Sequence, residues 1–252
     1  MANIIDGKQI AAQMRQELTT EVAKLKEEGI VPGLGVILIG EDPASISYVT
    51  AKERACKEIG IYSDDNHLPA DTSQAELMEL VNKMNDDPKI NGILVQLPLP
   101  RHMDESEVLL AINPDKDVDG FHPTNIGKMV AGEKAFLPCT PHGIIMLLKR
   151  SGVKIEGAEV VVVGRSNIVG KPIANMLIQK SDSGNATVTV CHTMTRNLAE
   201  HTLRADIIIA AAGRPNTITA DMVKDGAVVI DVGVNRIEDA SKKTRLPTCR
   251  RC

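Results

Sequence analysis

The stretch Val160-Val-Val-Val-Gly164-Arg165-Ser166-Asn167-Ile168-Val169-Gly170-Lys171-Pro172 decides how this chain is read. A run of β-branched residues enters a glycine turn, and a helix with proline near its start leaves it. Such a strand–turn–helix aims the free N–H groups of a helix N-terminus at a pyrophosphate. Arg165, directly after the first glycine, adds a cation and points to a nucleotide with an extra phosphate. Against the G-x-G-x-x-G fingerprint, Ser166 stands at the second glycine, Val169 at the third, and Gly170 comes one place late. Taken alone, the pattern serves an ordinary tight strand–helix connection as well as a nucleotide loop.

Downstream of this turn the β–α alternation continues, the mark of a mainly parallel sheet. Strands are expected at Glu159–Val163, Ala186–Cys191, Asp206–Ala210 and Ala227–Val232, and helices around Pro172–Lys180, Leu198–Leu203 and Thr219–Lys224. After its second strand a dinucleotide fold often places Asp or Glu to hold the ribose 2′-OH. Here the chain reads His192-Thr193-Met194-Thr195-Arg196. Without that acid, and with Arg165 at the first turn, a 2′-phosphate is favoured: NADP over NAD. Gly213-Arg214-Pro215 and Asp231-Val232-Gly233-Val234-Asn235 follow the next two strands, where further cofactor contacts would lie.

Upstream, strands are expected near Gly35–Ile39, Ile61–His67 and Gly92–Leu97. A long helix Lys8–Glu28 ends at Gly29, a second runs from Ala44 to Ile59 and stops at Gly60, and a third spans Gln74–Asn85. Ser73 and Glu76 have the spacing of a capping box for the third. The segment Asn113–Pro141, dense in Pro, Gly, Asp and His, reads as irregular, and a loop of that length is usually functional or a linker. The boundary between two α/β lobes is expected near its end, with a cleft between them as a ligand site.

Composition narrows the function classes. The chain has 252 residues, 43% hydrophobic and 25% charged, with two Tyr, two Phe and no Trp, so its core is aliphatic. A net charge of −4 leaves no electrostatic footprint for nucleic acid. No apolar run approaches the ~20 residues of a membrane span, and the first residues lack a signal peptide's basic-then-apolar build. An odd five cysteines argue against a disulfide framework and for a reducing, cytoplasmic compartment. Cys249 and Cys252 form a C-x-x-C without two further zinc ligands, so no metal is expected.

Three constellations bear chemistry. Tyr48 and Lys52, four apart on a helix, share a face and can reach one ligand; a lysine kept from water beside a ring can move protons. An ordinary surface pair has the same spacing. Short-chain dehydrogenases also carry it, but their glycine loop precedes the pair, and here the order is reversed. Gln96 ends the buried run Gly92-Ile-Leu-Val-Gln96, where parallel strands gather ligands; it can bond substrate, orient Lys52, or cap the strand. In Asp115-Lys-Asp117-Val-Asp119-Gly120-Phe121-His122-Pro123, alternating carboxylates suit a turn with Asx bonds better than a metal site. One of them could accept two N–H bonds from a planar amino-heterocycle, whereas His122 before proline reads as structural.

In order along the chain, these segments resemble the bifunctional methylenetetrahydrofolate dehydrogenase/methenyltetrahydrofolate cyclohydrolase family. The matching pieces are Gly40-Glu-Asp-Pro-Ala-Ser45 leading to Tyr48 and Lys52, Gln96-Leu-Pro-Leu-Pro100, and Asp117-Val-Asp-Gly-Phe-His-Pro123 with Asn125 and Gly127. Pro138-Cys-Thr-Pro141 with Gly143, the Gly164–Pro172 turn, and Asp231-Val-Gly-Val-Asn235 complete them, over about residues 3–236. The resemblance implies a reaction pair within one-carbon metabolism and purine biosynthesis. A hydride passes from 5,10-methylenetetrahydrofolate to NADP, and water then opens the methenyl product to 10-formyltetrahydrofolate. It also implies roles: Lys52 activates water and Gln96 orients it, Tyr48 stacks on the folate, and Asp119 binds the pterin amino end. Gly164, Arg165 and Ser166 would hold the NADP phosphates, Thr193 would add a cofactor contact, and Val234 would touch the nicotinamide through its backbone.

The fold so implied is α/β in two lobes: residues 1–140 binding tetrahydrofolate derivatives, and a Rossmann-like parallel-sheet NADP lobe over 141–252, in a homodimer. Beyond about residue 236 the pattern departs. The family continues to Pro-Gly-Gly-Val-Gly-Pro-Met-Thr and a closing helix, whereas this sequence runs from Ile237 to Cys252 and stops. That ending is expected of a truncated or frame-shifted chain with impaired stability or activity. The rival reading is a non-catalytic remnant that binds NADP or folate.

Overall fold

The computed structural model describes residues 2–233. The chain divides between Cys139 and Thr140 into two compact units, and each unit is built on its own parallel sheet.

In the first unit, α1 (Gly7–Glu27) precedes β1 (Gly33–Ile39), α2 (Pro43–Ile59), β2 (Tyr62–Leu68), α3 (Gln74–Asp86), β3 (Gly92–Val95), α4 (Glu105–Ala111) and α5 (Pro123–Ala131). The strands lie in the order β2-β1-β3, all parallel. Alternate residues of the central strand face opposite layers, as strand geometry requires. Val36 and Leu38 pack on Val49 of α2, while Ile37 and Ile39 pack on Leu77, Val81 and Met84 of α3 and Val108 of α4. Covering both faces makes β1 and β3 almost wholly apolar.

Local signals start and stop these helices. Asp42 Oδ2 accepts from Ser45 N at 2.8 Å, Pro43 occupies the first turn, and Gly60, at φ +92°, ends α2 in the left-handed conformation. Ser73 and Glu76 form the expected capping box on α3.

Helix α6 (Cys139–Arg150) begins on the last residue of the first unit, and in the second unit it leads to β4 (Glu159–Val163), α7 (Gly170–Ile178), β5 (Thr187–Cys191), α8 (Leu198–Thr202), β6 (Ile207–Ala210) and β7 (Val228–Asp231). The order is β5-β4-β6-β7, again all parallel. Val161 and Val163 of β4 share a core with Cys191, Ala205 and Ile208.

Several sequence expectations shift. The segment Asn113–Pro141 is not irregular throughout: it contains α5 and the start of α6. Helix α5 is capped by a histidine, an unusual cap residue, with His122 Nδ1 accepting from Thr124 N at 3.1 Å. Helix α4 has no counterpart among the sequence expectations. Helix α7 starts at Gly170 rather than Pro172, and the expected helix Thr219–Lys224 is a single 3-10 turn, Ala220–Met222. Six residues give too few hydrogen bonds to offset helix nucleation.

Candidate active site

In the first unit, the candidate side chains gather toward the carboxyl ends of the parallel strands, where α/β sheets bind ligands. Helix α2 begins just after β1 and buries Ser45, Val49, Cys56 and Ile59. At roughly 100° per residue, Lys52 lies about 60° from Val49, on the border of that buried stripe, and Tyr48 lies about 100° away. Lys52 is accordingly half-buried and Tyr48 is 56% exposed.

The ammonium of Lys52 donates to Gln96 Oε1 at 3.4 Å. The amide is held from its other end, since Gln96 Nε2 donates to the Leu97 carbonyl at 2.9 Å. Strand β3 stops at Val95, two residues earlier than expected, yet Gln96 N still bonds the Ile37 carbonyl at 2.9 Å. Gln96 is therefore fixed in backbone and side chain, with its oxygen toward Lys52.

Asp119 and Cys139 complete the group. Burial pushes the Asp119 carboxyl above the usual carboxylate range, against the charge of Lys52 and a hydrogen bond from Cys139, with the Asp117 charge adding to the rise. Cys139 is exposed as a residue, but its sulfur donates to the Val118 carbonyl at 3.3 Å. Desolvation, then the charge of Asp119 and the hydrogen bond to it, push this thiol up to about 11. Lys52 also pulls on the buried Cys56 thiol, which burial and Asp65 raise. Sequence alone gives Cys139 no role. Its only sequence signal is the Pro138-Cys-Thr-Pro141 motif, because its partners lie about twenty residues upstream.

Asp117 behaves as the Asx-type anchor the alternating carboxylates predict. Its side chain accepts from Phe121 N, His122 N and Asn125 Nδ2. His122 is consumed as a helix cap. Among the described residues no three His, Cys, Asp or Glu groups assemble to hold a metal, and no helix is long and apolar enough to cross a membrane.

In the second unit the expected nucleotide residues stand at the carboxyl ends of β4 and β5. Gly164 has φ +135°, and a Cβ there would come 2.3 Å from the Ala211 carbonyl oxygen. A Cβ on Gly170 would come 2.2 Å from the Gly164 carbonyl oxygen. The late glycine thus performs the close helix–strand packing that the fingerprint assigns to its third glycine. Ser166 Oγ accepts from Val169 N at 3.1 Å and Gly170 N at 3.3 Å, which leaves its own proton free to be donated outward.

Arg165 and Ser166 are exposed on this turn. Gly164 N bonds the Cys191 carbonyl at 2.8 Å, so the β5 end that carries Thr193 adjoins the turn. The loop at Thr193 is itself fixed, with His192 N donating to Thr195 Oγ1 at 2.9 Å. Neighbours β5 and β6 leave β4 on opposite sides, the switch point at which such sheets take dinucleotides. A glycine cradle, a helix N-terminus, an exposed arginine and no acid directly after β5 together suit NADP. Val234 lies outside the described residues.

Comparison with known proteins agrees in both units. The family model described as tetrahydrofolate dehydrogenase/cyclohydrolase, catalytic domain, matches residues 5–119. The model of the NAD(P)-binding domain of the same family matches residues 138–246. The bifunctional protein FolD of Geotalea uraniireducens is 59% identical over 237 residues, covering 94% of this chain and 83% of that protein. The crystal structure of the bifunctional enzyme FolD from Campylobacter jejuni is similar at TM-score 0.89 and 47% identity, over 94% of this chain and 83% of that one. The FolD of Trypanosoma brucei, solved with NADP cofactor and an inhibitor, is similar at TM-score 0.89 and 38% identity, over 96% and 82%.

Proposed function

This chain belongs to the tetrahydrofolate dehydrogenase/cyclohydrolase family, and from that premise we propose how its residues divide the work. The protein oxidises 5,10-methylenetetrahydrofolate to the 5,10-methenyl form with NADP and hydrolyses that product to 10-formyltetrahydrofolate. Both steps act on one carbon between two folate nitrogens, so a single folate position can serve both.

NADP, when bound, supplies the acceptor for the hydride leaving the methylene carbon. Gly164, Arg165, Ser166 and Thr193 are our assignment for its phosphates and ribose, with Val234 for the nicotinamide. Asp119 accepts two N–H bonds from the pterin edge, and Tyr48, exposed one turn before Lys52, stacks on the folate.

In the hydrolytic step water must lose a proton as it adds, and a folate nitrogen must gain one as the ring opens. Lys52 moves that proton, and Gln96 keeps the ammonium aimed. The observation that carries this reading is the Lys52–Gln96 hydrogen bond at the carboxyl end of β3, with Asp119 within reach of the Lys52 charge.

Lys52→Met tests it: formyl production should fall to the blank rate while NADP affinity is unchanged. Retained formyl production would exclude Lys52. The activity itself is tested on the purified chain with 5,10-methylenetetrahydrofolate and NADP, following reduced cofactor and methenyl product together. Cofactor reduction with little methenyl accumulating, together with hydrolysis of added methenyl substrate faster than in a blank, establishes both activities, whereas a folded chain that binds NADP without turnover is a binding remnant. We also propose a cytoplasmic homodimer formed through the nucleotide unit. The exposed Val190 on the edge strand β5 supports that surface, and a monomeric mass in light scattering would reject it.

A further inference from the structure

We propose that Asp117 is a positioning residue for folate, the buried anchor that holds Asp119 in place to receive the pterin. The proposal rests on the reading that Asp119 takes the pterin edge. Asp117 is 2% exposed, and no lysine or arginine among the described residues forms an ion pair with it. Three N–H groups satisfy it instead. Oδ2 accepts from His122 N at 2.8 Å and Asn125 Nδ2 at 2.9 Å, and Oδ1 accepts from Phe121 N at 3.3 Å. Asn125, also 2% exposed, is itself tied to the Pro114 carbonyl at 2.8 Å.

The backbone around Asp117 is pinned as firmly. Asp117 bridges to Ile93 of β3, and Ile93 N donates to the Lys116 carbonyl at 2.7 Å. Gly120 N closes back on the Asp117 carbonyl at 3.2 Å. Gly120 sits at φ +67°, where a Cβ would come 2.6 Å from the Leu137 carbonyl carbon. Both ends of the arc Asp117–Gly120 are therefore fixed, and Asp119 is the side chain carried between them. A carboxylate that must meet two N–H groups of a flat ring needs this restraint, because misplacement by about 1 Å weakens oriented binding steeply.

Asp117 also acts through charge. The groups facing Asp119 are Lys52 from α2, Cys139 from the start of α6 and Asp117 from its own loop. Burial and Asp117 favour the neutral acid, and Lys52 and Cys139 favour the carboxylate. Since Asp119 must be ionised to accept two N–H bonds, folate affinity is lost as pH falls through its raised pKa. Removing the Asp117 charge, and loosening the arc that buries Asp119, both shift that loss to lower pH.

The test is Asp117→Asn in the full chain, with tetrahydrofolate binding measured by calorimetry from acid to neutral pH alongside NADP binding and the melting temperature. We expect tetrahydrofolate Kd to rise about tenfold at neutral pH, the acid-side loss of affinity to move to lower pH, and NADP Kd to stay unchanged. Unchanged tetrahydrofolate affinity overturns the proposal. So does a lower melting temperature with the acid-side fall unmoved, which is what a merely structural carboxylate would give. If Asp117→Asn does not fold, Asn125→Ala carries the test by removing one donor: Kd should rise a few-fold, and no change refutes the anchor. Asp119→Asn separates the two levels. If it leaves tetrahydrofolate affinity intact, the pterin assignment fails and the proposal falls with it; if it weakens binding and Asp117→Asn does not, the anchor alone is wrong.

Discussion

Replacing Lys116 by methionine should destabilise the first unit through a contact that touches no ligand. The Lys116 ammonium donates to three carbonyl oxygens at the end of α3: Met84 at 3.0 Å, Asn85 at 2.7 Å and Asp87 at 2.8 Å. Those carbonyls have no partner within the helix, and a cation there also meets the negative end of the helix dipole. One hydrogen bond to a charged group is worth about 1.5–3 kcal/mol. The three share one ammonium whose partial burial offsets part of their sum, so the expected total is about 3 kcal/mol. For a unit of this size each kcal/mol moves the melting temperature by about 3–4 °C, giving a fall of about 10 °C. Methionine keeps the apolar stem, so the loss isolates the charge. Calorimetry of the full chain reads the shift, and urea unfolding should show a lower midpoint with an unchanged slope. Lys134→Met, at an exposed lysine, is the control and should change stability by under about 0.5 kcal/mol. A Lys116→Met shift no larger than this control would refute the reasoning.

Three further outcomes follow from the second unit and the thiol. Arg165→Ala should weaken NADP about tenfold to a hundredfold and NAD far less; equal weakening by calorimetry rejects the 2′-phosphate assignment. Gly164→Ala forces a Cβ to 2.3 Å from a carbonyl oxygen at φ +135°, so it should cost about 2 kcal/mol or more in urea unfolding and abolish NADP binding. A variant with wild-type NADP affinity would mean the turn does not make the cradle. With its thiol at about 11 against an ordinary 9.0, Cys139 holds about a hundredfold less thiolate at mildly alkaline pH. Iodoacetamide should therefore label its peptide slowly, at a rate still rising near pH 11; labelling as fast as a free cysteine would contradict the desolvation of this thiol beside Asp119.

Much of the fold was legible because its signals are local. The apolar run Glu159–Val163 is a strand with both ends as read from sequence. Gly60 stops α2 because the chain there turns left-handed, and the Ser73–Glu76 box needs only residues three apart. The shared face of Tyr48 and Lys52 follows from helix periodicity alone. The helices inside Asn113–Pro141 are not legible in the sequence because α5 is nine residues long and carries a histidine cap, so neither periodicity nor the common cap residues mark it.

What the chain's one-dimensional order could not contain is which distant groups meet. Lys52 and Gln96 are 44 residues apart, and Lys116 reaches back 29 to 32 residues to close α3. A hydrogen bond depends on distance and angle in space, and no spacing rule extends across a crossover between strands. The same holds for ionisation: Asp119 and Asp117 are both aspartates in one turn. Only the fold makes the first a half-buried acid beside Lys52 and Cys139 and the second a carboxylate enclosed by three N–H donors. Gly170 shows the division most simply. Sequence marks it as a glycine one place out of pattern; its use, letting α7 start against the Gly164 carbonyl, exists only once β4 and α7 are packed together.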